Sequence, residues 1–178
     1  QSGNLCPFGR TPVRDFAQAD PVGDEIFEVL RGLYAYDRSE LDARVELEDE
    51  SSAHWRQEIV SIRAAYGNER LPVHLYLPRN TPPPYQAVVY FPGGGARFMT
   101  SSRNIRFEFA RFIPRSGRAL IYPIYKGTYE RGDDLDSDYP EETNFYKEHV
   151  LMWAKDLGRS IDYLESREDL DTSKLAYY

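Results

Sequence analysis

The 178-residue sequence holds a single cysteine, Cys6, and therefore forms no internal disulfide. Cys6 lies in a polar stretch rich in Gly and Pro, with no second Cys and no nearby His to build a metal site, so it reads as incidental. No apolar run approaches the roughly 20 residues that cross a bilayer, and no signal peptide is visible. The chain starts at Gln1 rather than Met, which leaves the compartment open between cytoplasmic and secreted. Clustered cations are also lacking. There are 22 Lys and Arg against 29 Asp and Glu, giving a net charge of −7, and the arginines are scattered among acids. That balance gives no sign of a nucleic-acid surface, which needs grouped Lys and Arg.

What is present suits one compact domain. Hydrophobic residues make up 41% and aromatic residues 14%, including 14 tyrosines, enough for a sizeable core and too much for disorder. Residues 1–20 lack periodicity and read as an extended arm. Asp20-Pro21 looks like a helix start, with Ile26, Phe27, Leu30, Leu33 and Tyr34 at helical spacing and a fade near Tyr36. Asp42 to Ser52 is acidic and reads as a loop with a short strand. Val60, Ile62 and Ala64 then alternate, Gly67-Asn68 supplies a turn, and Leu71, Val73, Leu75 and Leu77 alternate again. This predicts a β-hairpin with one buried face. Thr81 to Pro84 is a rigid connector.

Ala87-Val88-Val89-Tyr90-Phe91 is a continuous apolar run, as expected for a strand buried on both faces of a parallel sheet. It breaks at Pro92-Gly93-Gly94-Gly95. Ser101 or Ser102 then caps an expected helix with Ile105, Phe109 and Phe112 on one face and Pro114 as its stop. Ala119 to Tyr122 reads as a second buried strand ending at Pro123. Tyr146, Val150, Trp153, Leu157, Ile161 and Leu164 form one apolar stripe on a long helix, and Gly158 within it implies a close packing contact. Asp169 to Lys174 reads as a turn, and Leu175 to Tyr178 as the start of another strand. The order is that of an α/β sheet, half built.

The glycine run carries the chemistry. Three successive glycines leave backbone amides free to approach an anion, either a phosphate or the oxyanion of acyl transfer. A P-loop needs Lys-Ser/Thr next, and Ala96-Arg97-Phe98 follows instead. A dinucleotide fingerprint needs G-x-G-x-x-G opening directly into a helix, which this spacing does not give. A tight strand-exit turn with no ligand is the remaining alternative.

Taken together, Leu75-Tyr76-Leu77-Pro78, Ala87 to Gly95, Tyr122-Pro123-Ile124-Tyr125-Lys126-Gly127-Thr128-Tyr129, the long helix and Asp169 to Tyr178 resemble the opening of the α/β-hydrolase superfamily. The resemblance runs from about Val60 to Tyr178 and is nearest to dienelactone hydrolases, acetyl xylan esterases and prolyl-oligopeptidase-type enzymes. The N-terminal helix and Tyr-Lys-Gly-Thr-Tyr stretch also resemble hydrolase modules appended to bacterial serine/threonine kinases. In the superfamily the loop after the third strand supplies an oxyanion amide, and the fifth strand runs into the G-x-S-x-G elbow. The resemblance thus implies an oxyanion loop at Gly93, Gly94 and Gly95, with Pro92-Gly93 replacing the usual His-Gly. It implies a pocket rim at Tyr125, Lys126 and Tyr129, although aromatic residues there can simply cover a sheet edge.

No G-x-S-x-G occurs, and Gly158-Arg159-Ser160 falls mid-helix. The resemblance therefore implies residues 1–57 as an arm with a helix, and 58–178 as the N-terminal half of a serine esterase domain, truncated before its nucleophile. The expected substrate is a small-molecule ester, the expected partner is the remaining C-terminal half, and no metal or organic cofactor is implied. Alternatives are a serine peptidase of prolyl-oligopeptidase type and a non-catalytic binding module. His54, His74 and His149 read as surface or locally satisfied histidines, with His74 facing away from the hairpin's apolar side and His149 off the helix stripe. An EF-hand beginning at Asp134 fails at Tyr139, where Gly is required, and at Phe145, where Glu is required.

Overall fold

A computed structural model describes residues 17–105, 108–135 and 140–178. Cys6, most of the expected arm and part of the tested calcium loop lie outside them. The chain forms two compact units, the first ending at Leu33 and the second running from Tyr34 to Tyr178.

In the first unit, α1 spans Asp24–Gly32 behind Gly23 as N-cap, so the helix opens later than Asp20-Pro21 suggested and ends before Tyr36. Asp24 and Glu25 in its first turn and Arg31 in its last complement the helix dipole.

The second unit is built on a six-stranded mixed sheet in the order β1-β2-β3-β5-β4-β6. Its strands are β1 Arg44–Asp49, β2 Trp55–Arg63, β3 Arg70–Pro78, β4 Tyr85–Val89, β5 Ala119–Pro123 and β6 Leu170–Tyr177. β2 and β3 form the expected hairpin, and Gly67 takes the left-handed conformation at its turn, φ +56°. β3 joins β5 antiparallel, whereas β4 lies parallel to β5 on one side and to β6 on the other. Leu170 already pairs with Tyr85, so most of the expected turn at Asp169 to Lys174 is strand. A register shift between Gln86 and Ala87 absorbs the residues that had read as a turn.

Both faces of the sheet are covered. On one face Val60, Ile62, Leu71, Val73, Leu75, Leu77, Ala87, Val89 and Ile121 meet Tyr163 and Leu164 of α3, Asn144–Glu165. On the other, Tyr76, Leu120, Tyr122 and Ile124 pack with Ala96, Ala110 and Ile113. The hairpin is therefore not buried on one face only: alternate β3 residues feed both cores, and His74 is fully buried on the second. The helix expected from Ser101 to Phe112 is replaced. The chain forms short 3-10 turns at Ser102–Asn104 and Glu108–Ala110, then α2, Phe112–Arg115, with Pro114 inside it. Pro114 is tolerated because the first turn of a helix needs no amide there. Phe109 and Phe112, which had read as inward, are exposed.

On α3 the expected apolar stripe is only half-buried, apart from Leu164. The fully buried positions are His149, Asp156, Arg159, Ser160, Tyr163 and Leu164, a largely polar face. Their partners explain this. Arg159 donates to the Arg63 and Glu40 carbonyls at 3.1 and 3.3 Å, and Ser160 donates to Asp156 O at 2.8 Å. Gly158 makes the close contact its position implied, since a Cβ there would lie 2.5 Å from Tyr36 Oη, which donates to Asp162 at 3.2 Å. Gly158→Ala should therefore leave the wild type no more stable. In a Tyr36→Ala background the same change should stabilise by about 1 kcal/mol, the helix propensity difference. Urea melts of the four proteins check this double-mutant cycle.

Candidate active site

β4 and β5 end at the same rim, because they run parallel. The connection from β4 to β5 carries α2 over one face, and the connection from β5 to β6 carries α3 over the other. In open α/β sheets the crevice beyond the carboxyl ends of such strands is where ligands bind. A cleft of about 180 Å³ lies at this rim, bounded by Phe91, Pro92, Gly93, Gly94 and Arg97 after β4, Tyr125 and Thr128 after β5, and Tyr146 and Trp153 of α3.

The glycine loop leaves the sheet abruptly. The Phe91 amide still donates to Tyr178 O, and the Tyr178 amide to Val89 O, both at 2.9 Å. Pro92 has no amide to continue the ladder. Gly93 is extended, φ −69° and ψ 165°, and a 3-10 turn follows at Gly94–Phe98. Its first backbone bond runs from the Ala96 amide to Gly93 O at 3.0 Å. The Gly94 and Gly95 amides precede that bond and so have no partner within the turn. A Cβ on Gly93 or Gly95 would meet nothing within 4 Å, so these glycines keep backbone approachable rather than fit a crowded spot. Gly93 and Gly94 line the cleft; Gly95 does not.

Of the residues after β5, Tyr125 lines the cleft and is fully buried, its ring 4.6 Å from Phe91. Burial pushes its phenol well above the usual range, which keeps it neutral. Lys126 and Tyr129 lie elsewhere. The Lys126 ammonium pairs with Glu69 at 2.9 Å. Tyr129, at φ +49°, exchanges a 2.8 Å hydrogen bond with Tyr122 in the core of the opposite face. Sequence reading passed over Phe91, Arg97, Thr128, Tyr146 and Trp153. The last two stood in plain view on the α3 stripe, but periodicity marks a residue as apolar without saying which wall it reaches.

This loop is held against α3 by one buried cluster. Asp156, with no exposure, accepts from Arg131 Nη1 at 2.6 Å, Tyr66 Oη at 2.9 Å and the Lys126 amide at 3.1 Å. Trp153 Nε1 donates to Lys126 O at 2.8 Å, so both peptide groups flanking Lys126 are pinned. Burial raises the Asp156 carboxyl above its usual range, and the Arg131 guanidinium is the main influence against that rise. His149 is buried rather than off the packed face: Nδ1 faces the Phe145 carbonyl at 2.9 Å and Nε2 faces Asp133 at 2.9 Å. Asp133 is thus engaged in pairing, and among the described residues no group of acids and histidines is arranged to hold a metal.

A Ser–His contact does occur, and its proton inventory rules out His74 as the base for that serine. Ser102 Oγ donates to Glu130 Oε1 at 2.6 Å, having only one proton to give. His74 Nε2, 2.9 Å from the same oxygen, must therefore carry a hydrogen and donate, so it cannot accept the serine proton. Ser102 and His74 are both buried. His54, by contrast, is exposed.

No protein-family model matches the chain, and no curated protein sequence matches it. Solved structures do. A glucuronoyl esterase from Solibacter usitatus superposes with a TM-score of 0.55 at 17% identity, over 86% of this chain and 51% of that one. An acetyl xylan esterase from Paenibacillus sp. R4 gives 0.57 at 19% identity, over 87% and 50%. Acetyl xylan esterase 1 from Thermoanaerobacterium sp. gives 0.56 at 10% identity, over 89% and 51%. The fold is the N-terminal part of an α/β hydrolase. The chain spans about half the length of these esterases.

Two outcomes follow from the buried groups. Burial lowers the His74 pKa from 6.5 to about 4, with Glu130 opposing. An unfolded histidine binds a proton below about pH 6.5, whereas folded His74 stays neutral until about 4, so the unfolded state binds more protons in between. Stability should fall by about 3 kcal/mol as pH drops through that window, and His74→Gln should flatten the slope there. Asp156→Ala strands a buried guanidinium and should cost about 3–5 kcal/mol, while Asp156→Leu combined with Arg131→Met should cost less than that single change. Denaturant titrations across pH measure both.

Proposed function

We propose that this chain supplies the oxyanion side of a serine esterase active site, with the nucleophile, histidine and acid contributed by a C-terminal half. The observation that carries this reading is the hydrogen-bonded pairing of Phe91 with Tyr178. It sets the end of β6 directly beside the strand that leads into Gly93 and Gly94. A nucleophile elbow following β6 would stand at the cleft mouth, within reach of those amides. The serine attacks the ester carbonyl and passes its proton to the histidine. The Gly94 or neighbouring amide, with the amide after the nucleophile, holds the oxygen as it gains charge.

The surface around β6 supports a further element packing there. Among the described residues β6 pairs only with β4. Beside it Phe109, Phe112, Tyr177 and Tyr178 are exposed, and Phe112 and Tyr178 touch edge to face with ring centroids 6.2 Å apart. An open strand edge flanked by exposed aromatic rings is the kind of surface another strand covers. The structural neighbours, carbohydrate esterases of about twice the aligned length, fit the same reading.

Gly94→Pro tests the amide itself. Proline removes the donor, yet position one of a turn accepts it, and Gly93 already has the extended backbone proline requires of its predecessor. In the assembled protein this variant should lose about 100- to 1000-fold in kcat with little change in KM or Tm. Gly95→Ala, which keeps its amide and meets nothing, should stay active. Hydrolysis of a nitrophenyl ester, with a serine-reactive phosphonate as control, reads the result. Undiminished phosphonate-sensitive turnover by Gly94→Pro would remove this amide from the mechanism.

A further inference from the structure

We propose that the rim opposite the cleft carries a phosphate site. There Ala53, His54, Arg79, Asn80 and Arg115 line a pocket that takes a tetrahedral phosphate dianion, free or as the ester of a small molecule. This pocket shares no lining residue with the cleft, and its assignment does not rest on the esterase reading.

Three segments far apart in sequence build it. His54 precedes β2, Arg79 and Asn80 follow β3, and Arg115 ends α2. Trp55 pairs with Pro78, and Tyr76 pairs with Leu120 near the start of β5. The pocket therefore lies where β5 begins, whereas the cleft lies where β4 and β5 end. Hydrogen bonds tie the segments together. The Arg79 amide donates to His54 O at 3.0 Å, and Asn80 Nδ2 donates to Arg115 O at 2.8 Å. Gly117 completes the junction. It sits at φ +84°, and a Cβ there would lie 2.3 Å from Thr81 Oγ1, so only glycine lets the turn after α2 come this close. The backbone beneath each basic side chain is thus held before any ligand arrives, which lowers the ordering cost of binding.

Charge argues for an anion. Two guanidiniums and an imidazole are gathered on a chain whose net charge is −7. Among the described residues, every ionisable residue lining this pocket is a base. The Arg115 side chain makes no hydrogen bond or ion pair there, whereas Arg111, one turn earlier, pairs with Glu108. Arg79 is only partly engaged: its Nη2 reaches Glu50 O at 3.1 Å and Glu50 Oε2 at 3.3 Å. Glu50 is largely exposed, so that contact is screened and holds little.

The donor set selects phosphate over carboxylate. A planar carboxylate is satisfied by a single guanidinium fork. Guanidiniums and an imidazole arriving from three segments offer donors from several directions, which suits the oxygens of a tetrahedral dianion. The volume of about 400 Å³ also leaves room beside the phosphate for a small esterified alcohol.

Calorimetric titration of the 178-residue chain at low ionic strength, in a chloride buffer, tests the site. Inorganic phosphate should bind saturably and at least about tenfold more tightly than acetate. Arg115→Gln should weaken phosphate by about tenfold or more. Arg44→Gln removes an equal charge at the far end of β2, opposite Ser61, and should change nothing. Glu50→Gln removes the carboxylate that competes for Arg79 and should tighten binding, a gain that misfolding does not produce. Near-UV circular dichroism checks that each variant is folded. Glycerol 3-phosphate binding at least as tightly as inorganic phosphate assigns the site to phosphate esters, and a preference for inorganic phosphate assigns it to the free ion; both uphold it. No saturable phosphate binding, acetate matching phosphate, or equal effects of Arg115→Gln and Arg44→Gln would overturn it.

Discussion

Asp156 sits in the middle of α3 with no exposure to water, and a carboxylate in that position has to be met by donors or it unfolds the helix packing around it. Arg131, Tyr66 and the Lys126 amide meet it. Those three partners come from the loop after β5 and from the turn joining β2 to β3, so one ion pair fixes the position of three separate stretches of chain. The Arg131 guanidinium also reaches back to the Ile124 carbonyl, which curls the loop onto itself. Much of the cleft's geometry depends on that curl. It delivers Tyr125 and Thr128 to the rim and sends Lys126 towards Glu69.

The opposite wall has a different origin. Gly93 and Gly94 are placed by the ladder between β4 and β6 and released from it by Pro92, with no help from the ion pair. Two independent constraints thus converge on one rim: a polar cluster beneath α3 and a ladder that stops at a proline. A fold of this kind can change its pocket wall without moving its backbone donors, since the two are anchored separately. That division suits an enzyme class in which one charge-stabilising loop serves many substrates.

Much of this was legible in the sequence. The hairpin, the buried strand running to Phe91, the strand at Ala119 to Tyr122 and the long helix follow from alternation, apolar runs and spacing, and Gly158 announced its contact with Tyr36. Of the residues singled out in the glycine loop and after β5, Gly93, Gly94 and Tyr125 line the cleft, and Gly95, Lys126 and Tyr129 do not. What sequence could not show is which polar residues turn inward. His74, His149 and Asp156 look like surface residues because each is polar, and only their partners, distant in sequence, make burial tolerable. The missing helix at Ser101 to Phe112 has a related cause. Its apolar spacing was real, but Ser102 is drawn to Glu130, whose carboxylate takes both its amide and its hydroxyl, and the chain bends into short turns. Lys126 looked like a rim residue for want of any sign that Glu69 would claim it.

The central claim is that a Gly94 or neighbouring amide holds the oxyanion formed at a nucleophile beyond β6. A crystal structure of the assembled protein carrying a covalent phosphonate adduct tests it most directly, because the phosphonyl oxygen occupies the place of the oxyanion. The account predicts that oxygen about 2.7–3.1 Å from a backbone nitrogen of the Gly93 to Gly95 loop. An adduct whose oxygen is held by other groups, with the glycine loop facing away from it, would contradict the claim.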